Sequence, residues 1–181
     1  GAQQRQQIWH NTQQQIAQMR VEAWNAGNAA PTSVMIAYEN MGSTANWVLQ
    51  SAWAGSASGG YLGTASIQLP FSAYAGTGVS GGTQNASFQP ALGFANRFAC
   101  ELSYYYSIQA NTASNCMLLE INGSNIWTLC NVTQTGNISR YLTAFEGTSA
   151  NTLQFRCRDS DPGNSVSVGC TIDELRVTCQ Q

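Results

Sequence analysis

Lysine is absent from this chain, and charge of either sign is scarce. Seven arginines and nine acidic residues leave a net charge of −2, and charged residues make up 9% of the total, against roughly 25% in ordinary soluble domains. None lies between Glu39 and Arg97. A chain without a basic face is a poor ligand for nucleic acid or for an anionic membrane surface. The glycines of residues 70–97 cannot complete a phosphate-binding loop, because no lysine is available to them. No apolar run approaches the ~20 residues a membrane helix needs, so no membrane insertion is expected. No secretory leader is seen either, so the chain reads as mature or as one that never had a leader. Histidine occurs once, as His10 in a glutamine-rich stretch, which leaves a histidine-dependent triad without a home. Glu101, Glu120, Asp159 and Asp161 show no pairing that would flank a glycosidic bond. A non-enzymatic protein is expected.

Cysteine is missing from the first 99 residues, and the six that follow (Cys100, Cys116, Cys130, Cys157, Cys170 and Cys179) form no CxxC pair. Zinc is thereby a poor reading, and an even count without metal spacing favours disulfides and an oxidising compartment. Six cysteines allow 15 pairings. The set expected is Cys100–Cys179, Cys116–Cys157 and Cys130–Cys170. Four N-x-[ST] sequons, at Asn85, Asn122, Asn131 and Asn137, point the same way. So neutral a surface needs another source of solubility, and glycans are one candidate and burial in an assembly another. The protein is expected to be extracellular, secreted or at the cell surface.

What is present in strength is alternation. In Phe98–Ile108 (FACELSYYYSI) the even positions are Phe98, Cys100, Leu102, Tyr104, Tyr106 and Ile108. Side chains alternate faces along a strand, so this is a long central strand with one buried face. Further strands are expected over 33–39, 46–53, 61–69, 116–121, 126–130, 140–145, 152–157 and 166–178, with a hairpin about Asn122-Gly123. Residues 70–97 read as a loop. Short strands at close spacing without intervening helices make an antiparallel β-sandwich or jelly roll over residues 32–181. Residues 1–31 form a separate arm. Eight of the first twenty residues are Gln. Trp9, Thr12, Ile16, Met19 and Ala23 follow helical spacing, so a helix over roughly 4–24 is expected. Ile8, Trp9, Ile16, Met19 and Trp24 are its candidate anchors on a neighbouring copy.

Ala37-Tyr-Glu-Asn-Met-Gly42 with Trp47, CELSYYYSI, NCMLLEINGS, TLQFRC and the closing CTIDELRVT resemble the short motifs of galactose-binding-like jelly-roll domains, including carbohydrate-binding modules and fungal-type cell-surface proteins. The resemblance covers about residues 33–178. It implies a jelly roll, and it implies that Glu39 and Asp173 hold a structural Ca²⁺ with backbone carbonyls. Sugar binding needs exposed aromatic platforms. Of Trp47, Trp53, Tyr61, Tyr74, Tyr105 and Trp127, the favoured ones are Trp53, Tyr61 and Tyr105. Two functions are open: an extracellular glycoprotein subunit that self-assembles, as a filament or other homopolymer, through its arm, or a carbohydrate-binding or adhesive module. The partners are copies of itself or glycans.

Overall fold

A computed structural model describes residues 1–27, 31–50, 52–70, 82–110, 114–159 and 168–181. Helix α1 spans Ala2–Gly27. Eleven strands follow: β1 (Ser33–Glu39), β2 (Trp47–Leu49), β3 (Ala54–Ser56), β4 (Ser66–Leu69), β5 (Gly82–Leu92), β6 (Phe98–Ala110), β7 (Asn115–Ile121), β8 (Ser124–Cys130), β9 (Gln134–Tyr141), β10 (Asn151–Asp159) and β11 (Val168–Gln180). All described pairings are antiparallel. The first sheet has the order β3-β4-β11-β6-β9, with β1 paired to β11 beyond the end of β4; the second has the order β2-β5-β10-β7-β8. Two sheets packed face to face in this way make a jelly-roll sandwich.

The strand read from alternation is the centre of the first sheet. Cys100, Leu102, Tyr104, Tyr106 and Ile108 all face the core. There they meet Phe155 of β10 and Trp127 of β8, with the Tyr104 ring 5.0 Å from Phe155 and 5.5 Å from Trp127. Trp47 packs on Phe88 at 5.2 Å. The hairpin turn is Asn122-Gly123, with φ of 53° and 79°. Both residues take the left-handed conformation that suits a two-residue turn between twisted strands.

Several expectations are corrected. The strand expected over 140–145 runs instead over Gln134–Tyr141, and Thr143–Phe145 form a 3-10 turn. Residues 82–92, read as loop, form β5, an inner strand of the second sheet. Its core-facing residues are only Ala86, Phe88 and Leu92. Pro90 sits where the register with β10 slips between Phe88 and Leu92, which is where a missing N–H is tolerated. The rest of the 70–97 segment over residues 71–81, Tyr74 included, lies outside the described residues. The strand expected over 61–69 begins only at Ser66, because Tyr61–Gly63 form a single tight turn with Leu62 and Gly63 at positive φ.

The disulfides are Cys100–Cys179, as expected, but then Cys116–Cys130 and Cys157–Cys170. The second joins directly opposed residues of the β7–β8 hairpin. The third ties β10 of one sheet to β11 of the other, with Cα atoms 6.1 Å apart. Pairing followed strand register, which spacing along the chain does not reveal. Three disulfides suit an oxidising, extracellular setting. Among the described residues no helix is long and apolar enough to cross a membrane.

Helix α1 packs on the sandwich with the wrong stripe for a simple amphipathic reading. Gln6, His10, Gln13, Ala17 and Val21 turn inward, while Ile8 (65% exposed), Trp9 (43%) and Met19 (59%) turn outward. Ile16 is half-buried, and the Trp24 side chain lies outside the description. The reason is where the helix lands. Its second half covers the polar outer face of the first sheet, beside Glu101, Tyr141, Thr178 and Gln180. Gln6 Nε2 donates to the Thr128 carbonyl at 3.2 Å, His10 stacks on Tyr141 at 5.9 Å, and Arg20 pairs with Glu146.

Candidate functional site

The outer face of the first sheet is built in rows by strand register. One row is Tyr38, Arg176, Ser103 and Ser139 on β1, β11, β6 and β9; the next places Asp173, Tyr105 and Asn137 side by side. A bulge in β11 between Asp173 and Arg176, with Glu174 at φ 51°, crowds three charged residues onto this face. The Tyr38 hydroxyl donates to Glu174, Arg176 pairs with Glu174 at 3.1 Å, and the Arg176 guanidinium lies 4.9 Å over the Tyr38 ring.

Over this surface folds the turn 60–64, and Asp173 holds it there. Asp173 is fully buried. Its Oδ2 accepts the Tyr61 N–H at 2.9 Å and the Thr64 hydroxyl at 3.0 Å, and its Oδ1 accepts the Glu174 N–H at 2.7 Å. Burial nonetheless raises this carboxyl above the ordinary aspartate range, outweighing the donors. Gly60 makes the approach possible, since a Cβ there would lie 2.4 Å from Asp173 Oδ2. The result places Tyr61, 41% exposed, with its ring 5.9 Å from that of Tyr105. Tyr61, Ser103, Asn137, Ser139, Glu174 and Arg176 line a groove of about 240 Å³.

Two of the three favoured aromatics, Tyr61 and Tyr105, are thus brought together. Trp53 is not: it is 3% exposed, and its Nε1 donates to the Gln84 carbonyl at 3.0 Å, so it is a core residue. Trp47 and Trp127 are buried as well. Sequence reading missed Tyr38, Glu174 and Arg176; the DELR run carried charge but no sign that a bulge would turn it outward.

The oxygens of Asp173 are engaged by hydrogen-bond donors, which occupy the directions a cation would need. Glu39 likewise accepts from Asn46 Nδ2 at 2.7 Å. Among the described residues no three carboxylates, imidazoles or thiolates gather as a metal site. The surroundings of Glu39 and Asp173 do not fit Ca²⁺, and no role is built on it. Of the other acids, Glu120 pairs with Arg156 at 2.9 Å. Burial, helped by the neighbouring Glu101 carboxylate that accepts from its hydroxyl, pushes Tyr141 up to about 12.

The sequons fall on differing ground. Asn131 and Asn137 are exposed, and Asn85 is half-buried in β5. Asn122 uses its side chain in the hairpin turn, donating to Asn151 and accepting the Thr152 N–H at 2.8 Å. Asn137 lines the groove, so a glycan there and a ligand in the groove exclude one another.

No protein-family model matches the chain, and no curated protein matches it. Solved structures do share its fold. The CBM27-1 module of Caldicellulosiruptor saccharolyticus, solved with mannohexaose, superposes with a TM-score of 0.52 at 7% identity, covering 80% of this chain and 96% of that one. The K1 cleaved adhesin domain of Lys-gingipain from Porphyromonas gingivalis gives 0.52 at 17%, covering 82% and 98%. The CBM22-1 xylan-binding domain of Paenibacillus barcinonensis Xyn10C gives 0.49 at 15%, covering 83% and 97%. The fold is the jelly-roll sandwich of carbohydrate-binding modules.

Proposed function

We propose that the protein is a non-catalytic, secreted carbohydrate-binding module, and that the groove on the outer face of its first sheet is the binding surface. The observation that carries this reading is exposed Tyr61, its ring packed against that of half-buried Tyr105, at a groove it lines with Ser103, Asn137, Ser139, Glu174 and Arg176. Aromatic faces pack on the C–H faces of sugar rings, and the surrounding amide, hydroxyls and charges are spaced to hydrogen-bond their hydroxyls. An array of plant, fungal and bacterial glycans, followed by calorimetry, tests it. Tyr61→Ala and Tyr105→Ala are each expected to weaken glycan binding by about tenfold, roughly the loss of one aromatic anchor. Unchanged affinity in the double variant overturns the reading.

A second reading is favoured by the outward stripe of α1. Ile8, Trp9 and Met19 are large apolar side chains left exposed on a helix already seated on its own sandwich. Self-association of copies through that stripe is the arm-mediated assembly expected from the sequence. Light scattering is expected to show a mass above ~19.4 kDa plus glycans, falling to the monomer in Ile8→Ser/Trp9→Ser/Met19→Ser. A monomer at high concentration in both proteins excludes it.

A further inference from the structure

The sandwich is open along one side, between the edge strands β8 and β9, and the first half of α1 roofs that opening. Beneath it lies a cavity of about 430 Å³. Its floor is aromatic: Trp127 and Tyr106 lie 5.0 Å apart. Gly136 of β9 leaves room for the Tyr106 ring, which a Cβ there would meet at 3.1 Å. Its walls are polar, with Gln3, Gln6, Gln7, His10, Gln134 and Arg140.

Arg140 is the unusual member. It stands opposite core-facing Leu102 in the β6–β9 register and is 6% exposed. Its only described hydrogen bond runs from Nη1 to the Ser139 carbonyl at 2.8 Å. Among the described residues the ion pairs use Arg20, Arg156 and Arg176, and none uses Arg140. A cation buried without a counter-ion is costly, and burial lowers this guanidinium from its usual range. Beside it, His10 Nδ1 is buried with no hydrogen-bond partner among the described residues. Burial and Arg140 together keep His10 below its usual range, against a weaker pull from Glu101. An inward-pointing charge on an edge strand guards against edge pairing. Helix α1 already covers this edge, so protection leaves both Arg140 and His10 unexplained.

We propose that this cavity is a second subsite, specific for a carboxylate-bearing sugar, a hexuronic acid residue whose carboxylate meets the Arg140 fork and the His10 imidazole. Guanidinium and carboxylate match in a planar, two-bond geometry. The glutamine amides suit the ring hydroxyls, and Trp127 with Tyr106 suits the apolar ring face. Asn137, Ile138 and Ser139 line both this cavity and the Tyr61 groove, so one glycan chain can run from one to the other. In that respect the inference rests on the carbohydrate-binding reading.

The test titrates the full chain with a galacturonic acid trimer and with the same trimer methyl-esterified, in which each carboxylate is replaced by a neutral ester. The acid is expected to bind at least tenfold tighter, with NMR shifts at Trp127 and His10. Arg140→Gln abolishes that preference, and Arg140→Lys restores only part of it, since the fork is lost. Should Arg140→Gln fail to fold, His10→Ala on the helix surface carries the test and is expected to reduce the preference at least threefold. Equal affinity for acid and ester, or a preference unchanged in these variants, overturns the subsite. If the ester still binds and loses affinity in Tyr61→Ala, the groove stands without the subsite. If neither trimer binds while a neutral glycan does, the subsite alone falls, and if no glycan binds at all, both readings fall.

Discussion

Replacing Cys100 and Cys179 together by alanine is expected to lower stability by about 4–5 kcal/mol, the largest effect of any disulfide in the molecule. The bridge closes a loop with a sequence separation of 79 residues, against 14 for Cys116–Cys130 and 13 for Cys157–Cys170. In the chain-entropy account the short loops are worth about 3 kcal/mol each, so the difference is about 1.5 kcal/mol. The comparison with Cys157–Cys170 is the informative one. All four of these cysteines are buried, so the void left by removing sulfur is common to both double variants and largely cancels. Position matters as well as loop length. Cys100 and Cys179 lie near the ends of the two 13-residue strands β6 and β11, next to the register slip between Thr178 and Gln180. The bridge stands where the ladder is interrupted. Guanidinium unfolding of the three double variants checks this. Equal losses across the three would show that loop length is not what sets their contributions.

Asp173→Ala is expected to lower stability by about 2 kcal/mol and glycan affinity by about tenfold. One carboxylate accepts from Tyr61, Thr64 and Glu174, so its loss frees the turn 60–64 and with it the position of Tyr61 beside Tyr105. Three charge-assisted bonds would suggest a larger cost, but relief of a buried carboxylate offsets part of it. The sign of the pH dependence follows from the raised pKa. A folded value above the unfolded 3.8 means that the linked stability is complete below that pH and is lost as pH rises through the folded value. The cost of the substitution is therefore larger at about pH 3.5 than at neutral pH. Thermal melts of both proteins across that range measure it. The same melts in EDTA separate the two accounts of Asp173: a hydrogen-bonded anchor expects no change, whereas a structural Ca²⁺ held with Glu39 requires a fall in Tm.

Local pattern was enough to determine several features of this protein. Strict alternation in Phe98–Ile108 determined the central strand, because a period of two has one structural meaning when apolar residues occupy every second place. Asn122-Gly123 determined a hairpin, because both residues tolerate positive φ. The even, unclustered cysteines determined disulfide bonding rather than zinc, and Tyr61 and Tyr105 could be named as candidate platforms, each by itself. Only the tertiary structure decided the rest. β5 carries too few apolar residues to declare itself, and becomes a strand because β2 and β10 flank it. Four cysteines chose partners by register across strands and between sheets. Trp53 is packed into the core, where its Nε1–H is satisfied by the Gln84 carbonyl. Helix α1 left Ile8, Trp9 and Met19 outward, and its second half lies on a polar sheet face beside Glu101, Tyr141, Thr178 and Gln180. Arg140 shows the limit best: in sequence it is one arginine on a strand, and only the opposition of Leu102 across β6 directs it inward, beneath a helix more than 100 residues away, where a buried charge calls for an anion.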